Sequence, residues 1–454
     1  MKNIFKILTL FFVLMFSINS SFAISVGKID KTIKKSRLSE SATVAVSIRD
    51  VATGDVVYEV NQNKLLHPAS TLKIFSTYEA LNVLGTDYFF KTQFYKDSEN
   101  NLYIKLGADP LLTRAQLKQA FVDLKNAGHT SFNNLYFDDS IIDKKEFPVG
   151  WMWDDDVKEE TPKVSAYNLD GNVFKINVAK TQNGVVTTDL KSTYPMSVIS
   201  NIKFSEEGKT LDIGRYNWNN PELVEIYGEV DKLSAITVPI SSMRRYYIFN
   251  VDKNLEEMKI NIKNTRYASV LTPEDAELLT EVLNPIVPTI APILVNSNNL
   301  MAESLFKLAG GKKFCSTGTG ELASVTFYDF YNQNGIKTKN VVVKDGSGVS
   351  RNNLVSVDWI SSTLSKLYKK DDFQKIKENM AQPGEGTLSE RLFDLRGNAL
   401  LKTGTLANVS NIAGFVDSKD GKTYAFSMFI QNHNEEREFV KKFEDEIINL
   451  IYSK

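Results

Sequence analysis

The sequence predicts an α+β fold built on a five-stranded antiparallel sheet whose strands come from both ends of the chain. Three observations predict it. Two short runs with alternating apolar residues lie near the start, three further runs lie near the end, and patterns of helical period adjoin both groups. The region between them, from about residue 91 to residue 263, contains mixed short strands and indicates a mainly β insertion that splits the sheet domain.

The first two strands form a predicted hairpin. Val44, Val46 and Ile48 alternate with other residues, the turn sequence Thr53-Gly54-Asp55 follows, and the alternation resumes up to Tyr58. A period of two on both sides of a Gly-containing turn is typical of two paired strands with one buried face.

A helix is predicted directly after this hairpin. Pro68 ends the extended segment, helical spacing of apolar residues follows, and Gly85 is a natural C-terminal stop. Ser70 lies in the first turn, near the positive end of the helix dipole. Residues three apart share one face of a helix, so Lys73 can reach the Ser70 hydroxyl.

The Ser-x-x-Lys spacing also occurs twice elsewhere, at Ser200/Lys203 and at Ser304/Lys307. The spacing alone is therefore weak evidence for a nucleophile and its base. Ser200 lies in a strand-like run, and Ser304 lies within a helical run that begins upstream. The first copy is distinguished by its place at a helix start.

The C-terminal end supplies the other three strands. The runs "ALLKTGTL", "NIAGFV" and "TYAFSMFIQ" are short and extended, and the turn 417–422 separates the last two. An amphipathic helix is predicted to follow, with apolar residues from Phe439 to Ile451 on one side.

Composition and charge exclude several classes of function. The net charge is −1, from 54 basic and 55 acidic residues, so nothing favours a nucleic acid as partner. One cysteine excludes an internal disulfide framework, and three dispersed histidines make a Ser-His-Asp triad or a histidine metal site unexpected. We expect Cys315 to be a small buried hydrophobe. The acidic run Asp154–Glu160 is predicted to be a solvated loop rather than a calcium site. No metal or cofactor is predicted.

The N-terminus has the pattern of a secretory signal. Lys2 and Lys6 precede an apolar run from Ile7 to Ile18, and the small residues of "SFA" end at Ala23. We expect residues 1–23 to be cleaved and the mature protein to be periplasmic or otherwise exported. A retained membrane anchor is the alternative, although the run is short for a membrane span.

Two more short motifs follow the Ser-x-x-Lys pair in the chain. They are Ser297-x-Asn299, and the run Lys402-Thr403-Gly404-Thr405 on a predicted strand. The order Ser-x-x-Lys, Ser-x-Asn, Lys-Thr-Gly is much more specific than any one of them. Gly404 is expected to let a substrate backbone approach the strand closely.

On these motifs the sequence resembles the penicillin-binding serine DD-peptidases, within them the low-molecular-mass D-alanyl-D-alanine carboxypeptidase/endopeptidase family. The runs "DGSGVSRNN", "GEGTLSERL" and "GWMWDDD" are also similar to that family. The resemblance implies a DD-peptidase/β-lactamase-like domain of three layers, with helices on both faces of the sheet. It places the catalytic domain at residues 24–90 and 264–454 and the insertion at residues 91–263.

The resemblance and the chemistry of the residues imply the same roles. Ser70 would attack a carbonyl and form an acyl-enzyme, with Lys73 as a base kept neutral by burial and by the charge of Lys402. Ser297 would pass the proton to the departing amine. Asn299 would hold the substrate's amide unless it only caps a helix.

The remaining implied roles concern the C-terminal strand and its surroundings. Lys402, Thr403 and Thr405 would bind a terminal carboxylate, and the N–H groups of Ser70 and Thr405 would form the oxyanion hole. Three further residues either shape the cleft or form a Gly-rich turn, namely Asp345, Ser347 and Arg351. Glu303, which the resemblance places near the site, is expected to be structural.

The implied partners are peptidoglycan stem peptides ending in D-Ala-D-Ala and β-lactam inhibitors, while loose membrane association stays open. The alternatives are a β-lactamase or an esterase on the same scaffold, and a catalytically silent wall-binding protein. No Glu-x-x-Leu-Asn segment for β-lactam deacylation lies between the second and third motifs, and the intact Ser70 and Lys73 oppose a silent protein. The sequence does not divide carboxypeptidase from endopeptidase action.

Overall fold

The structure is a computed structural model. It describes residues 26–180, 186–190, 193–206, 210–217, 219–230, 235–264 and 266–453. The predicted signal segment at residues 1–23 lies outside the described residues.

The described part of the chain alternates between helices and strands. The helices are α1 Val26–Lys35, α2 Leu38–Ser41, α3 Lys73–Leu84, α4 Arg114–Asn126, α5 Met243–Met258, α6 Ile290–Leu294, α7 Asn299–Phe314, α8 Gly320–Gln333, α9 Val357–Leu367, α10 Gln374–Glu378 and α11 Arg437–Tyr452. The strands are β1 Thr43–Asp50, β2 Val56–Val60, β3 Phe89–Lys96, β4 Leu102–Lys105, β5 Ser131–Phe132, β6 Leu135–Asp138, β7 Val173–Lys180, β8 Val186–Leu190, β9 Ser197–Phe204, β10 Thr210–Gly214, β11 Leu223–Val230, β12 Ala235–Pro239, β13 Asn261–Ile262, β14 Arg266–Ser269, β15 Glu277–Pro285, β16 Ala399–Leu406, β17 Val409–Asp417 and β18 Thr423–Gln431.

The predicted sheet from both ends of the chain is confirmed. Its strands lie in the order β16-β17-β18-β1-β2, and every neighbouring pair is antiparallel. The N-terminal hairpin pairs Ile48 with Tyr58, and β1 joins the C-terminal strands through pairs such as Ser47 with Ser427. β16, which carries the Lys-Thr-Gly motif, is therefore an edge strand.

Helices cover both faces of this sheet, because successive residues of each strand point to opposite sides. Val44 and Val46 belong to the apolar cluster that includes Phe443 and Ile447 of α11. Ala45, between them, belongs to the second cluster, with Ile360 of α9. The three-layer arrangement is thus confirmed, and α3 lies in the second layer beside α7 and α8.

The middle of the chain forms additional sheets. The largest has the order β14-β6-β4-β3-β15, and smaller ones have the orders β10-β11-β9, β12-β7-β8 and β13-β5. The five-stranded one takes in β14 and β15, which follow the predicted border at residue 263. We therefore propose that the insertion continues to Pro285, where β15 ends its pairing with β3.

The expected burial of Cys315 is wrong. Cys315 is exposed and follows the last residue of α7 in a left-handed conformation, with φ 49°. The position of Cys315 at the exposed end of this helix overrides the ordinary preference of cysteine for the interior. Within the described residues, no helix has the length and apolar character needed to cross a bilayer.

Candidate active site

Ser70 and Lys73 lie where a tight turn becomes a helix. Ser70 is in the 3-10 turn Ala69–Leu72, which runs directly into α3 at Lys73. Ala69 has the unusual φ of 47°, so the backbone is bent immediately before the serine. The predicted helix and its stop at Gly85 are confirmed, with Ser70 in the turn that leads into the α-helix.

The Lys73 amine has three hydrogen-bond partners. Its Nζ lies 2.9 Å from Ser70 Oγ, 2.5 Å from Asn299 Oδ1 and 2.6 Å from the Ser347 carbonyl oxygen. The carbonyl oxygens of Asn299 and Ser347 accept hydrogen bonds and cannot donate them. A neutral Lys73 would therefore donate to those two and turn its lone pair toward the Ser70 hydroxyl, which is the orientation of a general base.

Burial allows a substantial fraction of Lys73 to be neutral near pH 7. Its side chain is fully buried, and desolvation lowers the pKa of Lys73 to about 7, although the carboxylates of Asp345 and Glu303 act to raise it. The Glu303 carboxyl is buried beside them, and burial together with the charge of Asp345 raises the pKa of Glu303 to about 7. The site therefore holds groups that exchange protons close to pH 7.

Lys402 is a second buried amine in the same site. Its Nζ lies 3.1 Å from the Thr403 carbonyl oxygen, the one hydrogen bond that the described part of the chain gives it. Burial, and then the charge of Lys73, hold the pKa of Lys402 well below its usual value. Two ammonium groups that are buried so close together repel each other. An anion bound beside Lys402 would stabilise the charged form of its amine, so Lys402 is suited to bind an anion.

Two glycines hold the Ser70 backbone in place. A β-carbon added to Gly404 would lie 3.0 Å from the Ser70 nitrogen and 3.0 Å from the Pro68 oxygen. A β-carbon on Gly348, whose φ is +83°, would lie 1.9 Å from the Ala69 oxygen. Gly404 thus makes a close approach to the protein's own backbone.

The run "DGSGVSRNN" forms a turn organised around Asp345. The buried carboxylate accepts hydrogen bonds from the N–H groups of Gly348 and Ser350 at 2.9 and 2.7 Å. It also accepts from Asn353 Nδ2 at 2.6 Å and from Ser347 Oγ at 3.2 Å. This network fixes the Ser347 carbonyl that receives the Lys73 amine, so Asp345 and Ser347 reach the site through the turn.

Arg351 and Glu303 hold this turn from two sides. The Arg351 guanidinium donates to the Ala407 oxygen at 3.3 Å, at the loop after β16. Glu303 Oε1 accepts from the Ser347 N–H at 2.7 Å, and thus orients the peptide beside Lys73. A glutamate that was expected to be structural therefore lies one peptide away from the candidate base.

A segment of the insertion reaches the site, and we call residues 149–161 the strap. Asn299 Nδ2 donates to the Glu160 carbonyl oxygen, and the indole N–H of Trp151 donates to Asp345 Oδ2 at 2.8 Å. Ser350 Oγ donates to the Val149 oxygen at 2.7 Å. The insertion therefore helps to orient the Asn299 amide, a role that its sequence did not indicate.

The Ser-x-Asn motif lies in the loop before α7. Ser297 is partly buried with φ 64°, and the described residues give its hydroxyl no hydrogen-bond partner. Asn298 caps α7 by accepting from the Met301 N–H at 2.9 Å, so Asn299 is not the capping residue. The Asn299 side chain therefore does not cap the helix, and its Oδ1 contacts Lys73 instead.

β16 is an edge strand of its sheet, so alternate backbone groups of this strand point away from β17. The Leu401 N–H donates to the Ala381 oxygen, outside the sheet, and the pairing of β16 with β17 has no bulge. Because alternate residues of an antiparallel strand point the same way, the N–H groups of Thr403 and Thr405 also face this outer edge. The Thr403 hydroxyl donates to Thr387 Oγ1 at 2.7 Å, which ties "GEGTLSERL" to the strand.

The other two Ser-x-x-Lys copies have structural surroundings. Lys307 Nζ binds Asp143 Oδ1 and the Lys145 oxygen, both at 2.7 Å, and Ser304 Oγ accepts from Asn168 Nδ2. Ser200 lies on strand β9. Of the three copies, the described contacts join serine to lysine at Ser70 and Lys73.

Known structures share this fold. A crystal structure of penicillin binding protein 4 (dacB) from Haemophilus influenzae matches with a TM-score of 0.82, 24% identity, and coverage of 94% of this chain and 99% of that one. A β-lactam complex of the same protein matches with a TM-score of 0.77 and 24% identity, over 95% and 100% of the two chains. The chain therefore has the fold of this penicillin-binding protein.

Comparison with known sequences identifies the family of this chain. The model of the D-Ala-D-Ala carboxypeptidase 3 (S13) family matches residues 25–451, so the chain belongs to this family. Among curated relatives, D-alanyl-D-alanine carboxypeptidase DacB of Haemophilus influenzae is 24% identical over 88% of this chain and 87% of its own. D-alanyl-D-alanine carboxypeptidase of Actinomadura sp. is 26% identical over 87% and 79%. The chain is thus a serine-type D-Ala-D-Ala carboxypeptidase, and the β-lactamase, esterase and silent-protein alternatives are not favoured.

Proposed function

We propose that Ser70 is the nucleophile of this carboxypeptidase and Lys73 its base, acting on peptidoglycan stem peptides that end in D-Ala-D-Ala. The observation that carries the proposal is the contact of a fully buried Lys73 amine with Ser70 Oγ at 2.9 Å, while two carbonyl oxygens take its other N–H bonds. That arrangement makes the amine a base directed at one hydroxyl.

The reaction runs in two halves. Ser70 Oγ attacks the carbonyl carbon of the penultimate D-alanine while its proton moves to Lys73 Nζ. The tetrahedral intermediate then collapses, the C–N bond breaks, and the proton passes through the Ser297 hydroxyl to the departing amine of the terminal D-alanine. Water next attacks the ester, gives its proton to Lys73, and the ester C–O bond breaks as Ser70 Oγ recovers a proton.

The developing oxyanion is stabilised by two backbone N–H groups, those of Ser70 and Thr405. The support is geometric: the Thr405 N–H faces the open edge of β16, and Gly404 beside it is packed against the Ser70 nitrogen. Donors fixed in this way need no reorganisation when charge develops, which is why such pairs contribute strongly to catalysis.

Lys402 anchors the terminal carboxylate together with the hydroxyls of Thr403 and Thr405, and it assists the base. In the free enzyme the proton resides more readily on Lys73, which has three acceptors and two carboxylates nearby. A substrate carboxylate stabilises the charged form of Lys402, and that charge then disfavours a second one on Lys73. Binding of the correct substrate thereby produces the neutral base.

Asn299 positions the substrate's amide, and the strap keeps its side chain oriented through the Glu160 carbonyl. One amide hydrogen and one lone pair of Asn299 stay available beyond its contacts with Lys73 and Glu160. Asp345, Ser347 and Arg351 support the site through the turn that they form, and Glu303 sets the charge around Lys73.

Three finer statements belong to the same proposal. β-lactams acylate Ser70, since they present a reactive carbonyl beside a carboxylate to the same groups. The enzyme also cleaves cross-links after a D-alanyl carbonyl as an endopeptidase. Residues 1–23 direct export to the periplasm or its equivalent, where the protein associates at most loosely with the membrane.

Digestion of purified peptidoglycan tests the activity and its balance. We expect release of D-alanine from pentapeptide stems and conversion of cross-linked dimers into monomers, both abolished in Ser70→Ala. N-terminal sequencing of native protein tests export and should find Ile24 as the first residue. Undiminished digestion by Ser70→Ala would contradict the assigned nucleophile, and an intact Met1 on cytoplasmic protein would contradict export.

A further inference from the structure

A second cleft lies in the insertion. It has a volume of about 970 Å³, between the 3-10 turn Trp153–Val157 of the strap and the strands β10 and β12. That volume is at the upper end of the range for small-molecule sites, about 300 to 1,000 Å³. The cleft is separate from the active site, since its lining includes neither Ser70 nor Lys402.

The basic side chains of this cleft are neutralised within the protein. The Arg215 guanidinium binds Asp156 Oδ2 at 2.8 Å and the Asp156 carbonyl oxygen at 2.6 Å, and its side chain is only 6% exposed. Lys163 Nζ lies 3.2 Å from Asp156 Oδ1, and Lys158 is paired with Asp154. Because these basic groups are already compensated, the cleft suits an uncharged polar ligand better than an anion.

Two aromatic rings on the cleft walls are exposed. Trp153 is 73% exposed and Tyr216 is 49% exposed. A β-carbon added to Gly214 would lie 2.2 Å from the Tyr216 ring, so the ring packs directly against this glycine. The Tyr216 hydroxyl donates to Asp212 Oδ1 at 2.8 Å and fixes the ring from its other end. Tyr216 is therefore held in one orientation with a ring surface open to the cleft.

A rigid, exposed aromatic surface beside hydrogen-bonding groups suits a sugar ring. The C–H groups of a pyranose cover an aromatic surface, while its hydroxyls donate to acceptors such as the Glu159 and Asp212 carboxylates that also line the cleft. β10 and β12 are edge strands with which an extended peptide could also pair, so displacement by a peptide is one outcome of the test.

We propose that this cleft binds a saccharide chain, namely the sugar strand that carries the stem peptides. The proposal rests on the proposed function, because it assumes that the substrate is attached to a glycan. The strap connects the two sites: Trp153 lines the cleft, and Glu160, seven positions later, contacts Asn299 in the active site. A strand held in the cleft would bring its peptides to Ser70.

The test is titration calorimetry of the full mature chain with the N-acetylglucosamine tetramer as the probe. We expect the wild type to bind it, and Trp153→Ala or Tyr216→Ala to weaken binding at least tenfold. Gly214→Ala should also weaken it, since the added methyl group displaces the Tyr216 ring. Phe393→Ala is the matched control, because Phe393 is 57% exposed but does not line the cleft, and it should bind like the wild type.

Penicillin acylation of each variant separates this proposal from the proposed function. Unchanged acylation with weakened sugar binding supports a distinct saccharide site. The proposal is overturned if the wild type does not bind the tetramer at millimolar concentration, or if Trp153→Ala and Tyr216→Ala bind it normally. It is also overturned if an uncharged tetrapeptide displaces the tetramer. Failure of penicillin to acylate the wild type would refute the proposed function while leaving the sugar titration interpretable.

Discussion

Substitution of Lys402 by methionine should reveal two separable functions of one buried amine. Methionine keeps most of the volume of the side chain and removes its charge. Loss of the carboxylate anchor should reduce kcat/KM for a peptide ending in free D-Ala-D-Ala by about 2–4 kcal/mol, which is about 30- to 1,000-fold. A peptide with an amidated C-terminus should be a poor substrate of both proteins and nearly insensitive to the substitution.

The pH dependence tests the second function. With the pKa of Lys73 at about 7, half of this amine is neutral at pH 7 and about a tenth at pH 6. The acylation rate should fall at low pH as Lys73 becomes protonated, and we call this fall the acidic limb of the pH profile. In the wild type, a bound carboxylate stabilises the charged form of Lys402, so the acidic limb should lie at lower pH with the free-acid peptide than with the amidated peptide. In Lys402→Met the two limbs should coincide near pH 7 or above, because the second cation is gone.

Stopped-flow acylation with both peptides, between pH 5 and pH 9, measures these limbs. Lys307→Met is the matched control, since it removes another buried lysine of a Ser-x-x-Lys pair, one that binds Asp143 instead of the site. It should leave the pH profile unchanged. If Lys402→Met impairs both peptides equally and leaves both profiles unaltered, the amine neither anchors the carboxylate nor influences Lys73.

Further substitutions address the surroundings of the site. Glu303→Gln should retain the acceptor for the Ser347 peptide but lose the charge that raises the pKa of Lys73, so the acidic limb of acylation should move down by less than about one pH unit. Gly404→Ala should reduce acylation at least tenfold, measured with a fluorescent penicillin, because its methyl group meets the nucleophile's backbone. Arg391→Ala should lower the free energy of unfolding by about 3–5 kcal/mol in denaturant titrations, since it leaves Glu444 buried without its partner.

Each of these has a matched control. Glu79→Gln alters another buried glutamate, on α3 itself, and should not move the pH profile. Gly320→Ala adds a methyl group with its nearest neighbour 3.7 Å away and should acylate normally. Arg437→Ala changes an exposed arginine and should alter stability by less than about 0.5 kcal/mol. A control that behaves like its test variant would contradict the corresponding explanation.

The local pattern was sufficient for the sheet and for the motifs that meet at the site. Alternation over "TVAVSIRD" and the short extended run "TYAFSMFIQ" predicted two strands, and the structure pairs them as neighbours. The order of the three motifs predicted residues that the fold brings together at Lys73, namely Ser70 and Asn299. The spacing of apolar residues and the residues typical of turns indicate each of these elements from a single segment of sequence.

Contacts between distant segments could not be predicted in the same way. The carbonyl of Glu160 orients Asn299 although any residue supplies a carbonyl, so its sequence carries no signal for that role. Glu303 was expected to be structural because its partner, the Ser347 N–H, is again a backbone group. The contact of Gly404 with the turn that carries Ser70 was not predicted either, because it depends on how that 3-10 turn packs against β16.

The most direct test of the account is the site of covalent modification by penicillin. The mature protein should be labelled by a fluorescent penicillin, and mass spectrometry of its peptides should locate one adduct on Ser70. Ser70→Ala should abolish the label, while Ser304→Ala, in the copy of the motif that binds Asn168, should retain it. An adduct on another residue, or labelling of Ser70→Ala at the wild-type level, would contradict the assignment of Ser70 and Lys73 as nucleophile and base.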